Sequence, residues 1–198
     1  RSSDLPGDVT DVFLTHLHFD HCGGAVKRTD KGKLIPAYEN ARYWSNERQW
    51  NWANNPNARE KASFLTENFV PLQQHGVLHF IEEHEELFPG FSTMWTYGHT
   101  GAMMLPVIKY NGSKVVYCAD LLPSHAHIPL PYVMGYDVRP LITIKEKESF
   151  LKEACDKKYF LFFEHDSQYE CCSLEKTDKG IRPKNFYQLS ELPVNALF

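Results

Sequence analysis

His16-Leu17-His18-Phe19-Asp20-His21 closes the apolar run Val9-Thr10-Asp11-Val12-Phe13-Leu14-Thr15 and is followed at once by Cys22-Gly23-Gly24. Three imidazoles and a carboxylate in six positions are more ligand chemistry than a folding core requires. On extended backbone alternate side chains leave on one face, so His16 and His18 at a strand end converge on one point. The glycine pair lets the chain turn sharply into a helix, which aims Asp20 and His21 at a neighbouring point. Two adjacent divalent ions suit this layout, each needing further ligands from elsewhere in the chain. A histidine-rich surface loop that binds nothing does not account for the order strand, ligand cluster, Gly-Gly turn.

At 198 residues, with 42% hydrophobic and 14% aromatic content, the chain is long enough for one well-buried core, and one domain over residues 1–198 is expected. A formal charge of -4 supplies no basic field for a nucleic-acid backbone, so no nucleic-acid partner is expected. No apolar run is long enough to cross a bilayer, and no membrane role is expected. The five cysteines are odd in number, two of them vicinal, without the density of a disulfide scaffold. A reducing, cytoplasmic setting fits them.

Beyond the opening motif, Leu34 to Ala37 reads as a strand and Tyr38 to Ala53 as a helix whose aromatics face more than one way. Ala58, Ala62, Leu65, Phe69 and Leu72 recur at helical spacing, with Asn57 as N-cap and Gly76 as terminator. Val77 to Ile81 and Phe91 to Thr96 read as strands. Met103 to Tyr110 and Lys114 to Ala119 flank Asn111-Gly112-Ser113, a hairpin signal. A helix from Lys145 to about Lys158 is expected, with Thr143 and Glu146 at capping-box spacing. Tyr159 to Phe163 reads as a strand buried on both faces, and Cys171 to Lys176 with Ile181 onward as a closing hairpin around Asp178-Lys179-Gly180.

His16, His99, Asp120 and His165 each sit just beyond one of these strands, where a sheet fixes geometry and a loop frees the side chain. In that order, with Gly98-His99-Thr100 and Val116-Tyr117-Cys118-Ala119-Asp120, they resemble the metallo-β-lactamase-fold hydrolase superfamily. The look is closest to its branch of N-acyl-homoserine lactonases and methyl-parathion-hydrolase-like enzymes. The resemblance implies an α/β fold, a four-layer α/β/β/α sandwich. It also implies one metal on His16, His18 and His99, a second on Asp20, His21 and His165, and Asp120 bridging the two. A hydroxide shared by two cations would then be the nucleophile, with Asp20 orienting it and passing a proton to the leaving group, which makes Asp20 and Asp120 the catalytic carboxylates.

The sequence departs from that branch in three places. A common Gly-His-Thr-Pro-Gly-His pattern is here Gly98-His99-Thr100-Gly101-Ala102-Met103, and no tyrosine follows Asp120 in Leu121-Leu122-Pro123-Ser124. Only about fifteen residues precede the first motif, where the superfamily places several strands. The first N-terminal strands are therefore expected to be missing, through truncation or supply by another chain. An exposed apolar face would then favour association, making a homodimer possible.

His125 and His127 follow Asp120 closely enough to reach a substrate, or are solvated loop residues. Trp44, Trp50 and Trp52 form core, or else a substrate-pocket wall or dimer surface. Cys22, Cys171 and Cys172 are expected to be packed thiols. The expected activity is dinuclear metal-dependent hydrolysis of a lactone or other ester of a small, partly apolar molecule, with two zinc ions favoured and iron or manganese also suited to the ligand set. Thioester hydrolysis of the glyoxalase II type, phosphotriester hydrolysis, oxygen chemistry at one iron, and an inactive fragment are the alternatives.

Overall fold

The computed structural model describes residues 5–193, so the opening Arg1-Ser2-Ser3 lies outside the described residues. The chain divides into two compact units, residues 1–82 and 83–198.

The first unit contains β1 (Asp11–Phe13), α1 (Phe19–Cys22), β2 (Val26–Arg28), β3 (Leu34–Pro36), β4 (Arg42–Ser45), α2 (Glu47–Asn54), α3 (Val70–Gln74) and β5 (Leu78–Phe80). Strands β1, β4 and β5 form a parallel sheet in that order, and β2 and β3 form a small hairpin. Three readings are corrected here. The turn that carries Asp20 and His21 comes before the glycine pair, because His18 is extended and its carbonyl accepts the amides of His21 and Cys22. The helix expected from Tyr38 is two elements. Arg42 to Ser45 pairs as a strand on both sides, and Asn46 caps α2 by accepting the Gln49 amide at 2.8 Å, a cap worth about 1 kcal/mol. Its aromatics therefore face several ways because they belong to a strand and a helix. The helix expected from Ala58 to Leu72 breaks into turns, a 3-10 segment at Thr66–Asn68 and α3, since Pro71 is tolerated only at a helix start. Gly76, at φ 70°, does follow its end. Leu14, Leu17, Tyr43, Phe69 and Leu72 centre the core of this unit.

The second unit contains β6 (Glu86–Phe88), β7 (Phe91–Thr96), β8 (Met103–Tyr110), β9 (Ser113–Tyr117), α4 (Pro140–Asp156), β10 (Phe160–Phe162), β11 (Cys171–Thr177) and β12 (Gly180–Tyr187). Its seven-stranded sheet runs β12-β11-β10-β9-β8-β7-β6, antiparallel except for β9 and β10. Asn111 (φ 46°) and Gly112 (φ 78°) turn the β8–β9 hairpin with the left-handed backbone that Asn-Gly tolerates. Strand β10 is buried on both faces: Leu161 packs into the cluster of Met103, Leu105, Val116, Phe150 and Leu151, whereas Phe160 joins Val115, Cys171 and Leu192. Each such side chain contributes roughly 1.5–3 kcal/mol by leaving water.

Helix α4 begins five residues earlier than the spacing suggested, with Pro140 at its start, where a missing N–H costs nothing. Thr143 and Glu146 lie inside it and form no capping box. Among the described residues no helix is long and apolar enough to cross a membrane.

Candidate metal centre

In the first unit, His16 and His18 follow β1, and His21 sits on α1. The His16 and His18 rings lie edge to face at 4.7 Å, and His16 and His21 are 3.9 Å apart between ring centroids. His16 and His18 are buried, and each is held from behind. The Thr15 hydroxyl lies 3.1 Å from His16 Nδ1, and the Glu60 carboxylate lies 3.3 Å from His18 Nε2. Glu60 is only 2% exposed and also accepts from Trp52 Nε1 at 2.8 Å and from Asn57. Asp20 keeps 43% of its side chain exposed, with Oδ2 3.5 Å from His21 Nε2. Cys22 next to them is inert: burial, then the Asp20 charge, push its thiol up to about 12.

In the second unit, three strand ends supply the ligand types. Asp120 follows β9 in a short turn opened by Ala119 at φ 41°, and it is buried. Its Oδ2 lies 3.0 Å from His99 Nε2 and its Oδ1 3.4 Å from His165 Nε2, so one carboxylate faces two imidazoles from different strand ends. Ligand atoms of Asp120, Glu164 and His165 all lie within 4.8 Å of one another. His99 Nδ1 meets Asp137 Oδ1 at 3.0 Å. Burial works against a charged His99, but the bonds to Asp120 and Asp137 outweigh it and lift its pKa to about 9. Two buried carboxylates around one imidazole are an excess of negative charge that a bound cation neutralises, and the donors are the nitrogen and oxygen types that zinc takes.

The backbone before His99 is fixed with equal care. Glu146, on α4, accepts the amides of Tyr97 at 2.7 Å and Gly98 at 3.0 Å. The amides of Val138 and Arg139 bind the carbonyls of His99 and Gly98. Gly98 packs directly on Thr143, leaving no room for a Cβ. The Tyr117 phenol is kept protonated by burial and by the neighbouring Glu164 carboxylate.

The remaining candidates separate. His125 Nδ1 and its amide both bind Asp166 Oδ2, and its ring meets the stacked rings of Tyr169 and Phe186 edge to face. Burial favours the neutral Asp166, but the bonds it accepts from His125 and the Gln168 and Tyr169 amides win and hold its pKa at about 2. His127 Nδ1 pairs with the Ser124 hydroxyl at 2.9 Å, and burial lowers its pKa. Trp44 donates its indole N–H to Asp11 at 2.8 Å, Trp50 packs in the first core against Phe69, and Trp52 is the Glu60 donor. Cys22, Cys171 and Cys172 are buried thiols, as expected. Sequence reading missed Glu60, Asp137 and Glu146, whose partners at His18, His99 and Gly98 are 42, 38 and 48 residues away and leave no local pattern.

The family model of the metallo-beta-lactamase superfamily matches residues 2–165. An N-acyl homoserine lactonase of Bacillus cereus is 27% identical over 172 residues, covering 83% of this chain and 59% of that protein. A probable metal-dependent hydrolase from Staphylococcus aureus superposes with a TM-score of 0.82 at 26% identity, over 97% of this chain and 66% of the other. The dizinc quorum-quenching lactonase AidC, in complex with a product, superposes with a TM-score of 0.79 at 21% identity, over 94% and 68%. The chain thus spans about three fifths of the length of the curated relative it matches.

Proposed function

This chain belongs to the metallo-β-lactamase superfamily, and from that premise we propose that it is a dinuclear metal-dependent hydrolase acting on a lactone or other ester of a small, partly apolar molecule. His16, His18 and His99 would hold one divalent ion, Asp20, His21 and His165 the other, with Asp120 shared; zinc is the favoured metal. The observation that carries this reading is Asp120, a buried carboxylate whose two oxygens each face a different imidazole. Similarity to an N-acyl homoserine lactonase supports the lactone.

Two ions so held would supply a water of lowered pKa and would polarise the scissile carbonyl. The chain's own groups supply the rest. Asp137 accepts the Nδ1 proton of His99 and so presents its Nε2 lone pair inward, and Glu60 fixes the His18 ring through its contact with Nε2. Asp20, the most exposed carboxylate of the set, accepts a proton from the attacking water and returns it to the leaving alcohol. His125 and His127, on the loop that follows Asp120, are assigned to substrate contact; Trp50 packs in the core of the first unit and Trp52 supports Glu60.

The test is metal analysis followed by turnover of N-hexanoyl homoserine lactone, an aryl ester, a thioester and a phosphotriester. Two zinc ions per chain, lactone turnover lost on chelation and regained with zinc, and no turnover in His18→Ala or Asp120→Ala are expected. Turnover that survives exhaustive chelation refutes the mechanism.

A further inference from the structure

A cavity of 580 Å³ opens in the second unit between α4, the segment Ile128 to Pro131 and the β11–β12 turn. Its size falls within the roughly 300–1,000 Å³ of small-molecule sites. Ile128 and Leu151 line it with core side chains, and Leu130 and Ile181 continue the apolar wall to the surface. The wall is preformed. The Lys147 ammonium, completely buried, binds the carbonyls of Pro129 at 3.1 Å, Leu130 at 3.3 Å and Tyr132 at 2.6 Å, so this backbone is fixed before any ligand arrives.

The rim is positive in a chain whose net charge is -4. Lys152, Lys179 and Arg182 stand on it, with Glu148 opposite in sign. Lys152 is neutralised by Asp156 at 2.9 Å. Arg182 spends one N–H on the Ile181 carbonyl at 2.7 Å; among the described residues neither its guanidinium nor the Lys179 ammonium meets a carboxylate. Two unneutralised cations against one carboxylate leave a single positive charge, which matches a monoanion and not a dianionic phosphate.

We propose that this cavity binds a single-chain amphipathic carboxylate, such as a medium-chain fatty acid, with its tail on Ile128, Leu130 and Leu151 and its carboxylate between Lys179 and Arg182. Arg182 offers the forked donors that grip a carboxylate in two bonds, and Lys179 adds a point charge. The proposal is independent of the hydrolase reading, because none of these residues belongs to the ligand set.

Decanoate, titrated into the intact chain below its micelle concentration and followed calorimetrically and by amide NMR shifts, tests it. One saturable site per chain is expected, with the largest shifts at Leu130, Gly180 and Ile181. Decanol should bind about tenfold or more weakly, and Lys179→Glu/Arg182→Glu should weaken decanoate by a similar factor while leaving decanol unchanged. Lys179→Glu alone, in an exposed turn, serves if the double variant misfolds and should still weaken binding severalfold. Absence of saturation, equal binding of decanol, shifts confined to other residues, or indifference to Lys179→Glu would each overturn the proposal.

Discussion

Gly98→Ala isolates the packing that positions His99. The glycine has no positive φ, so alanine meets no backbone penalty there and the whole effect is steric. A Cβ at this position would overlap Thr143 Oγ1 and the Thr143 backbone nitrogen and come within 2.6 Å of its Cα. Relief demands that α4 and the His99 backbone separate by about 1 Å, since carbon contacts settle near 3.5–4.0 Å. Overpacking of this kind costs about 1–3 kcal/mol. The same movement stretches the bonds from the Tyr97 and Gly98 amides to Glu146, and losing one bond to a charged group costs about 1.5–3 kcal/mol more. The expected destabilisation is therefore about 3–5 kcal/mol, a large part of the roughly 5–15 kcal/mol that folds a domain. Urea unfolding by circular dichroism measures it, and a melting temperature lower by about 10 °C should accompany it. Adding Thr143→Ala removes the hydroxyl and the γ-methyl but leaves the overlap with the Thr143 backbone nitrogen and Cα, so it should return no more than about 1 kcal/mol. A Gly98→Ala protein within 1 kcal/mol of wild type, or full rescue by Thr143→Ala, would refute the argument that α4 backbone sets the position of His99.

Asp137→Asn leaves the fold but weakens the hold on His99 Nδ1, and zinc affinity measured by competition with a chelating dye should fall about 10–100-fold. Lys147→Met strands three carbonyls, at Pro129, Leu130 and Tyr132; the expected loss is about 3 kcal/mol in urea, read against an exposed control such as Lys145→Met. Lys147 also sets a pH dependence. Burial holds its pKa at about 8, against about 10.4 in the unfolded chain, so between those values the unfolded state binds the extra proton and wild-type stability rises with pH relative to Lys147→Met. A flat difference between pH 8 and 10 would count against it. Glu60→Gln keeps the shape but loses the charge shared by Trp52, Asn57 and His18, and should lower stability by about 2 kcal/mol in the same unfolding assay.

What the sequence disclosed follows from how local each signal is. The β8–β9 hairpin was legible because Asn111-Gly112 dictates its own turn, and β10 because five consecutive apolar residues leave no polar face. His99, Asp120 and His165 do lie just beyond β7, β9 and β10, as the strand-end reading expected, with the Asp120 carboxylate against both imidazoles. The reading failed where neighbours outvote local preference. Arg42 to Ser45 has helical neighbours but becomes a strand because β1 and β5 offer it partners on both sides, a tertiary gain invisible in the segment itself. The periodic residues from Ala58 to Leu72 satisfy a helical spacing, yet Pro71 near the end of the run withholds an amide that a continuous helix needs and instead sits at the start of α3.

Glu146 shows why a correct residue can carry the wrong role. Three positions after Thr143 it has the spacing of a capping box, and the motif implies a helix start. The helix instead starts at Pro140, which needs no cap for its missing amide, and this frees the Glu146 carboxylate to take two amides from the β7 strand end. One residue further along α4, Lys147 takes three carbonyls from the segment after His127. A carboxylate that accepts amides and an ammonium that donates to carbonyls, adjacent on one helix, thus fix the two stretches of backbone that carry His99 and His127. Burial opposes both charges, raising the pKa of Glu146 and lowering that of Lys147, so neither is where a stability-driven core would place it. Helix α4 bears no metal-ligand candidate, and its polar residues make sense as the support that keeps those on the strand ends in place.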